Sequence, residues 1–102
     1  MKLKKGSKGS KVNGLRTEIL LAVMIADSVY KRHSKELVIT EGTGGKHGHG
    51  SLHYVGQAID IRTNYFTKEQ TELVASEIKE ALNEQYDVVI EKTHMHIEFQ
   101  PK

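Results

Sequence analysis

His94-Met95-His96-Ile97-Glu98-Phe99 alternates between two kinds of side chain. In a β-strand, residues two apart share a face. Met95, Ile97 and Phe99 therefore form an apolar side that belongs to a core, while His94, His96 and Glu98 form a polar side that faces away from it. Just upstream, Tyr86 to Ile90 reads as another strand. The two make either a hairpin or one bent strand with a break around Lys92-Thr93.

Working outward, Ala58 to Arg62 reads as a strand in which Ile59 and Ile61 lie on one face and Asp60 and Arg62 on the other. Glu36 to Thr40 is short and β-branched, and runs into a loop from about Glu41 to Ser51 that holds five of the nine glycines. Leu15, Ile19, Ala22, Val23, Ala26, Val29 and Tyr30 recur at helical spacing, which predicts a helix from Leu15 to His33. Thr67-Lys68-Glu69-Gln70 has the spacing of a capping box. It opens a second helix whose buried stripe is Leu73, Val74, Ile78, Ala81 and Leu82, ending near Glu84. Helix, strand, strand, helix, strand, strand with short links predicts an α+β fold, a small antiparallel sheet carrying two main helices.

Composition sets the frame. The chain has 102 residues, 37% hydrophobic and 27% charged, which fits one folded domain. Zero cysteines exclude disulfides and thiolate metal sites. No apolar run approaches the roughly 20 residues of a membrane span, and the amino terminus lacks the apolar core of a secretion signal. The net charge is only +2, yet five of the fifteen basic residues (Lys2, Lys4, Lys5, Lys8 and Lys11) crowd into the opening. Residues 1–13 read as a basic Gly/Ser/Lys-rich arm and 14–102 as the folded domain. The arm carries no aromatic residue for stacking on bases, so nucleic acid is not the expected partner.

The histidines point to chemistry. Of six, five fall in two tracts: His47, His49 and His53, then His94 and His96. Imidazole nitrogen and carboxylate oxygen are the zinc donors left to a chain without cysteine, and a catalytic zinc takes three with one position open to water. His53 and Asp60 are too far apart for one strand face and must converge through a turn at Gly56. If their strand pairs with the last one, they meet the His94/His96 face. His33, beside Lys31 and Arg32 in the last helical turn, reads as a surface residue at the helix end.

Ser51-Leu52-His53-Tyr54-Val55-Gly56-Gln57-Ala58-Ile59-Asp60 resembles the S-x-H-x-x-G-x-A-x-D signature of the zinc D-Ala-D-Ala peptidases, and His94-Met95-His96 resembles their downstream H-x-H. The chain is similar as well to the Hedgehog amino-terminal signalling domain, which shares that fold and zinc site. That match runs from Thr40-Glu41-Gly42 through Ser51-Leu52-His53-Tyr54 to His96. The resemblance spans Leu37 to Phe99. It implies a Zn²⁺ ion held by His53, Asp60 and His96, and Glu91 as the acid that takes the proton of the attacking water. Glu91 stands five residues before His96 and three before His94, the family's own spacing being three. A register with His94 as the third ligand and His96 beside it therefore stays open.

With His96 on the metal, His94 is a candidate donor to the developing oxyanion. His47 and Lys46 are candidates for touching substrate from the glycine-rich loop, and Arg62 and Tyr54 are lesser candidates for a substrate carboxylate or the cleft wall. The function implied is a zinc metallopeptidase, a hydrolase cutting peptidoglycan stem peptides or cross-links as a carboxypeptidase, dipeptidase or endopeptidase. Leu3 to Val12 resembles the opening of small peptidoglycan-binding modules. With no export signal in view, a phage origin or an export partner would bring the protein to the bacterial cell wall. The rival readings are a non-catalytic zinc-site binding domain of Hedgehog-like architecture and a polymer-binding module led by the basic arm.

Overall fold

The computed structural model describes residues 1–3, 16–42 and 57–100. In chain order these form β1 (Lys2–Leu3), α1 (Thr17–Arg32), β2 (Val38–Glu41), β3 (Ala58–Arg62), α2 (Lys68–Ala81), β4 (Tyr86–Ile90) and β5 (His94–Phe99). The sheet order is β1-β2-β3-β5-β4, with antiparallel pairing throughout except for β1, which runs parallel to β2. This is the expected α+β architecture. The parallel edge was not expected, since Lys2 and Leu3 were read as part of the basic arm.

One apolar layer runs across the sheet because the register sets like against like. Ile39 pairs with Ile61, Ile61 with Met95, Ile59 with Ile97, and Ile97 with Val88. These residues are buried against Ile19, Ala22, Val23, Ala26, Val29 and Tyr30 of α1 and Val74, Ala75 and Ile78 of α2. Fully burying an aliphatic side chain of this size contributes about 1.5–3 kcal/mol. Both helices therefore cover one face of the sheet, and the other is left for polar residues.

The helix ends follow the local chemistry of the sequence. At α2 the Thr67 hydroxyl accepts from the Gln70 N–H at 3.1 Å while the Gln70 side chain accepts from the Thr67 N–H at 2.9 Å. That reciprocal cap is worth about 1 kcal/mol. At α1 the chain leaves through Ser34 at φ 58°, with the Ser34 N–H donating to the Lys31 carbonyl at 3.0 Å and the Lys35 N–H to the Tyr30 carbonyl at 3.1 Å. Those two bonds are a Schellman closure with serine where glycine is usual. His33, the expected surface residue, is the carboxyl cap of α1 and is half-buried, its Nε2 lying 2.5 Å from Glu77 Oε1 on α2. The two helices are tied there.

Between β4 and β5 the choice left open by the sequence falls to a hairpin. The Glu91 N–H donates to the His94 carbonyl at 2.8 Å, which makes Lys92-Thr93 the turn. The Thr63 N–H reaches the Thr93 carbonyl at 3.2 Å and fastens that turn to the end of β3.

Candidate functional site

Residues directly opposite on antiparallel strands share a face. The register sets Asp60 against His96, Arg62 against His94, and Ala58 against Glu98. All of these point away from the helices, because their neighbours Ile59, Ile61, Met95 and Ile97 fill the core. On the other side of β3, Glu41 also pairs with Asp60, through an irregularity in which Thr40 is the extra residue. The alternation in both strand sequences thus fixes a polar array on one face of the sheet.

The contacts within that array are short. His96 Nδ1 lies 2.8 Å from Asp60 Oδ1, and His96 Nε2 lies 2.8 Å from Glu98 Oε1. His94 Nε2 stands 3.6 Å from Asp60 Oδ2. Asp60 is only 5% exposed. A carboxylate at each nitrogen favours the imidazolium form of His96, which can donate from both sides. Its pKa is raised above the ordinary 6.5, chiefly by the hydrogen bond to Asp60, against the opposing effect of burial and with help from the bond to Glu98. Gln100 Nε2 donates in turn to Glu98 Oε2.

The donor set has the right chemistry for zinc, since an imidazole nitrogen and a carboxylate oxygen face each other on a rigid pair of strands. Zinc bonds of about 2.0–2.1 Å meeting at a tetrahedral angle would hold the two donor atoms roughly 3.3 Å apart. At 2.8 Å they share a proton instead, so a proton and an ion compete for one place. Among the described residues no group of three His, Asp or Glu side chains is assembled to hold a metal ion. His53, the remaining ligand implied by the resemblance, lies outside the described residues, as do His47 and Lys46.

Of the site residues named from the sequence, Asp60, His94 and His96 come together. Glu91 meets His94 through the backbone, its N–H donating to the His94 carbonyl at 2.8 Å. It is exposed, follows the end of β4, and lines a hollow of about 520 Å³ with Thr63, Asn64, Phe66 and Lys68 among others. Asp60 and His94 line a different hollow, of about 460 Å³, with Thr40, Glu41, Arg62, Asn64 and Thr93. Glu98, placed by the strand alternation on the polar face but not among the candidate site residues, is the one the sequence left without a role. It is a direct partner of His96, and its place two residues along the same strand face was the signal that could have found it.

Compared with known proteins, the chain matches no family model and no curated protein.

Proposed function

We propose that the chain is a zinc-dependent peptidase acting on peptidoglycan stem peptides or cross-links. The observation that carries the reading is the opposition of Asp60 and His96 across β3 and β5, donor to donor at 2.8 Å on the face away from the core. It joins the two halves of the S-x-H-x-x-G-x-A-x-D and H-x-H signatures, which stand far apart along the chain. Asp60 and His96 would hold the ion together with His53. When bound, zinc supplies Lewis acidity, bringing the pKa of a coordinated water towards neutrality.

The chain's own residues account for the rest. Glu98 engages His96 Nε2 and so fixes which nitrogen, Nδ1, is turned towards Asp60. His94, beside Asp60, is the donor for a carbonyl oxygen as it gains charge. Glu91 takes and returns the proton. His47 and Lys46 contact substrate from the loop between β2 and β3.

Incubating the purified protein with muropeptides tests this, with and without a chelator and beside a Glu91→Ala variant. The expected result is cleavage that the chelator abolishes, added zinc restores and the variant loses. Zinc bound at one equivalent with no cleavage would instead favour a Hedgehog-like zinc-site binding domain. The specific observation favouring that second reading is that Glu91 lines a different hollow from Asp60 and His94.

A further inference from the structure

The two edges of the sheet differ. At one, β1 is two residues long and carries Lys2, a short and charged margin of the kind that discourages further pairing. At the other, β4 runs five residues with neither proline nor lysine, keeps an unbroken register with β5, and leaves Val89 44% and Ile90 43% exposed. Its backbone is open along that margin. The Glu91 N–H donates to the His94 carbonyl at 2.8 Å and the Gln100 N–H to the Gln85 carbonyl at 2.7 Å, so by antiparallel alternation Asp87 and Val89 turn their N–H and C=O groups to β5. Val88 and Ile90 turn theirs outward, as does the Tyr86 carbonyl, while the Tyr86 N–H donates to the Asn83 carbonyl at 3.2 Å. No described strand lies beyond them in the sheet.

We propose that β4 is the interface of a twofold dimer, in which it pairs antiparallel with β4 of a second copy and joins the two sheets edge to edge. Outward backbone groups must meet outward groups, which confines the axis to Asp87, Val88 or Val89. An axis at Asp87 sets that carboxylate against its own mate, and an axis at Val89 sets Asp87 against Glu91 of the second copy. Both bring like charges together. An axis at Val88 sets Val88 against its mate through reciprocal hydrogen bonds, Ile90 against Tyr86, Asp87 against Val89 and, just past the strand ends, Glu84 against Lys92. Charge and apolar contact agree in that register. The exposed Ile90 is covered by the Tyr86 ring of the second copy, which sits on Phe99 at 5.1 Å, and the exposed Glu84 and Lys92 attract. Such a contact is self-complementary and closes at two copies. Its axis stands normal to the sheet, so both Asp60–His96 pairs open on one side of the dimer and the helices lie on the other. The proposal needs nothing of the peptidase reading.

Sedimentation velocity of the full chain over a range of concentrations should show monomer giving way to dimer and to nothing larger. Ile90→Pro removes an outward N–H and keeps the bonds to β5, a change that edge strands tolerate, so it should fold and stay monomeric. Glu84→Lys and Lys92→Glu each set like charges at both ends of the interface, and each should weaken the dimer about fivefold or more. Mixing these two variants restores opposite charges at both ends. A heterodimer should then form in preference to either homodimer, read by fluorescence energy transfer between one variant labelled with donor and the other with acceptor. Circular dichroism checks the fold of every variant. A wild type that stays monomeric, a dimer that Ile90→Pro leaves intact, growth beyond a dimer, or equal affinity in mixed and unmixed pairs overturns the proposal.

Discussion

His96 turns Nδ1 to Asp60 on the neighbouring strand and Nε2 to Glu98 on its own, both at 2.8 Å. This double grip favours the protonated ring and raises the His96 pKa, with Asp60 the largest cause. The raised value lies in the folded state. The stabilisation is therefore fully present below the unfolded value near 6.5 and is lost as pH rises through the folded pKa. Urea unfolding of the metal-free protein across that range should show the wild type losing stability relative to His96→Gln as pH increases. A difference that grows towards alkaline pH would contradict the assignment.

A proton between His96 and Asp60 must leave for zinc to enter, so zinc uptake should release protons and strengthen with pH. Titration calorimetry in buffers of differing ionisation enthalpy reads the proton count directly. Glu98 should matter here without touching the ion, because its hold on Nε2 orients the ring. Glu98→Gln is expected to weaken zinc binding by about 10- to 100-fold, the usual effect of removing an outer partner. Unchanged affinity would make Glu98 a bystander.

How far the sequence could be read follows from the range of each interaction. The alternation of His94 to Phe99 and of Ala58 to Arg62 is local, and both strands lie within the expected stretches. The capping box at Thr67 is equally local. The pairing of Asp60 with His96 needed the assumption that two strands meet, which the order of elements made reasonable. The His33 bond to Glu77 joins positions far apart on separate helices, and no spacing within either helix announces it. Nor does any pattern declare that Glu91 turns into a different hollow, since that depends on where a hairpin places its tip.

Ser34 offers a test of local strain. Its φ of 58° lies in the left-handed region, where a Cβ crowds the following carbonyl. Ser34→Gly should stabilise the protein by about 0.5–1 kcal/mol, the relief exceeding the entropy that glycine adds to the unfolded chain. Thermal unfolding would show a midpoint a few degrees higher. A lower midpoint would mean that the serine side chain contributes more than its backbone costs.

Leu73 and Ile78 make the sharpest contrast on α2. The hydrophobic pattern placed both in the buried stripe, yet Leu73 is 53% exposed and Ile78 is 0% exposed. The buried positions are Thr71, Val74, Ala75 and Ile78, a three-and-four spacing that excludes Leu73 by one step of about 100° around the axis. Thr71 holds a place in that stripe because its hydroxyl donates to the Thr67 carbonyl at 2.9 Å, so no polar group is wasted there. Leu73→Ala should accordingly cost no more than about 0.5 kcal/mol, as surface changes do. Ile78→Ala, which opens a cavity between helix and sheet, should cost about 2–5 kcal/mol. Chemical denaturation of the two variants measures both, and comparable losses would place Leu73 in the core after all.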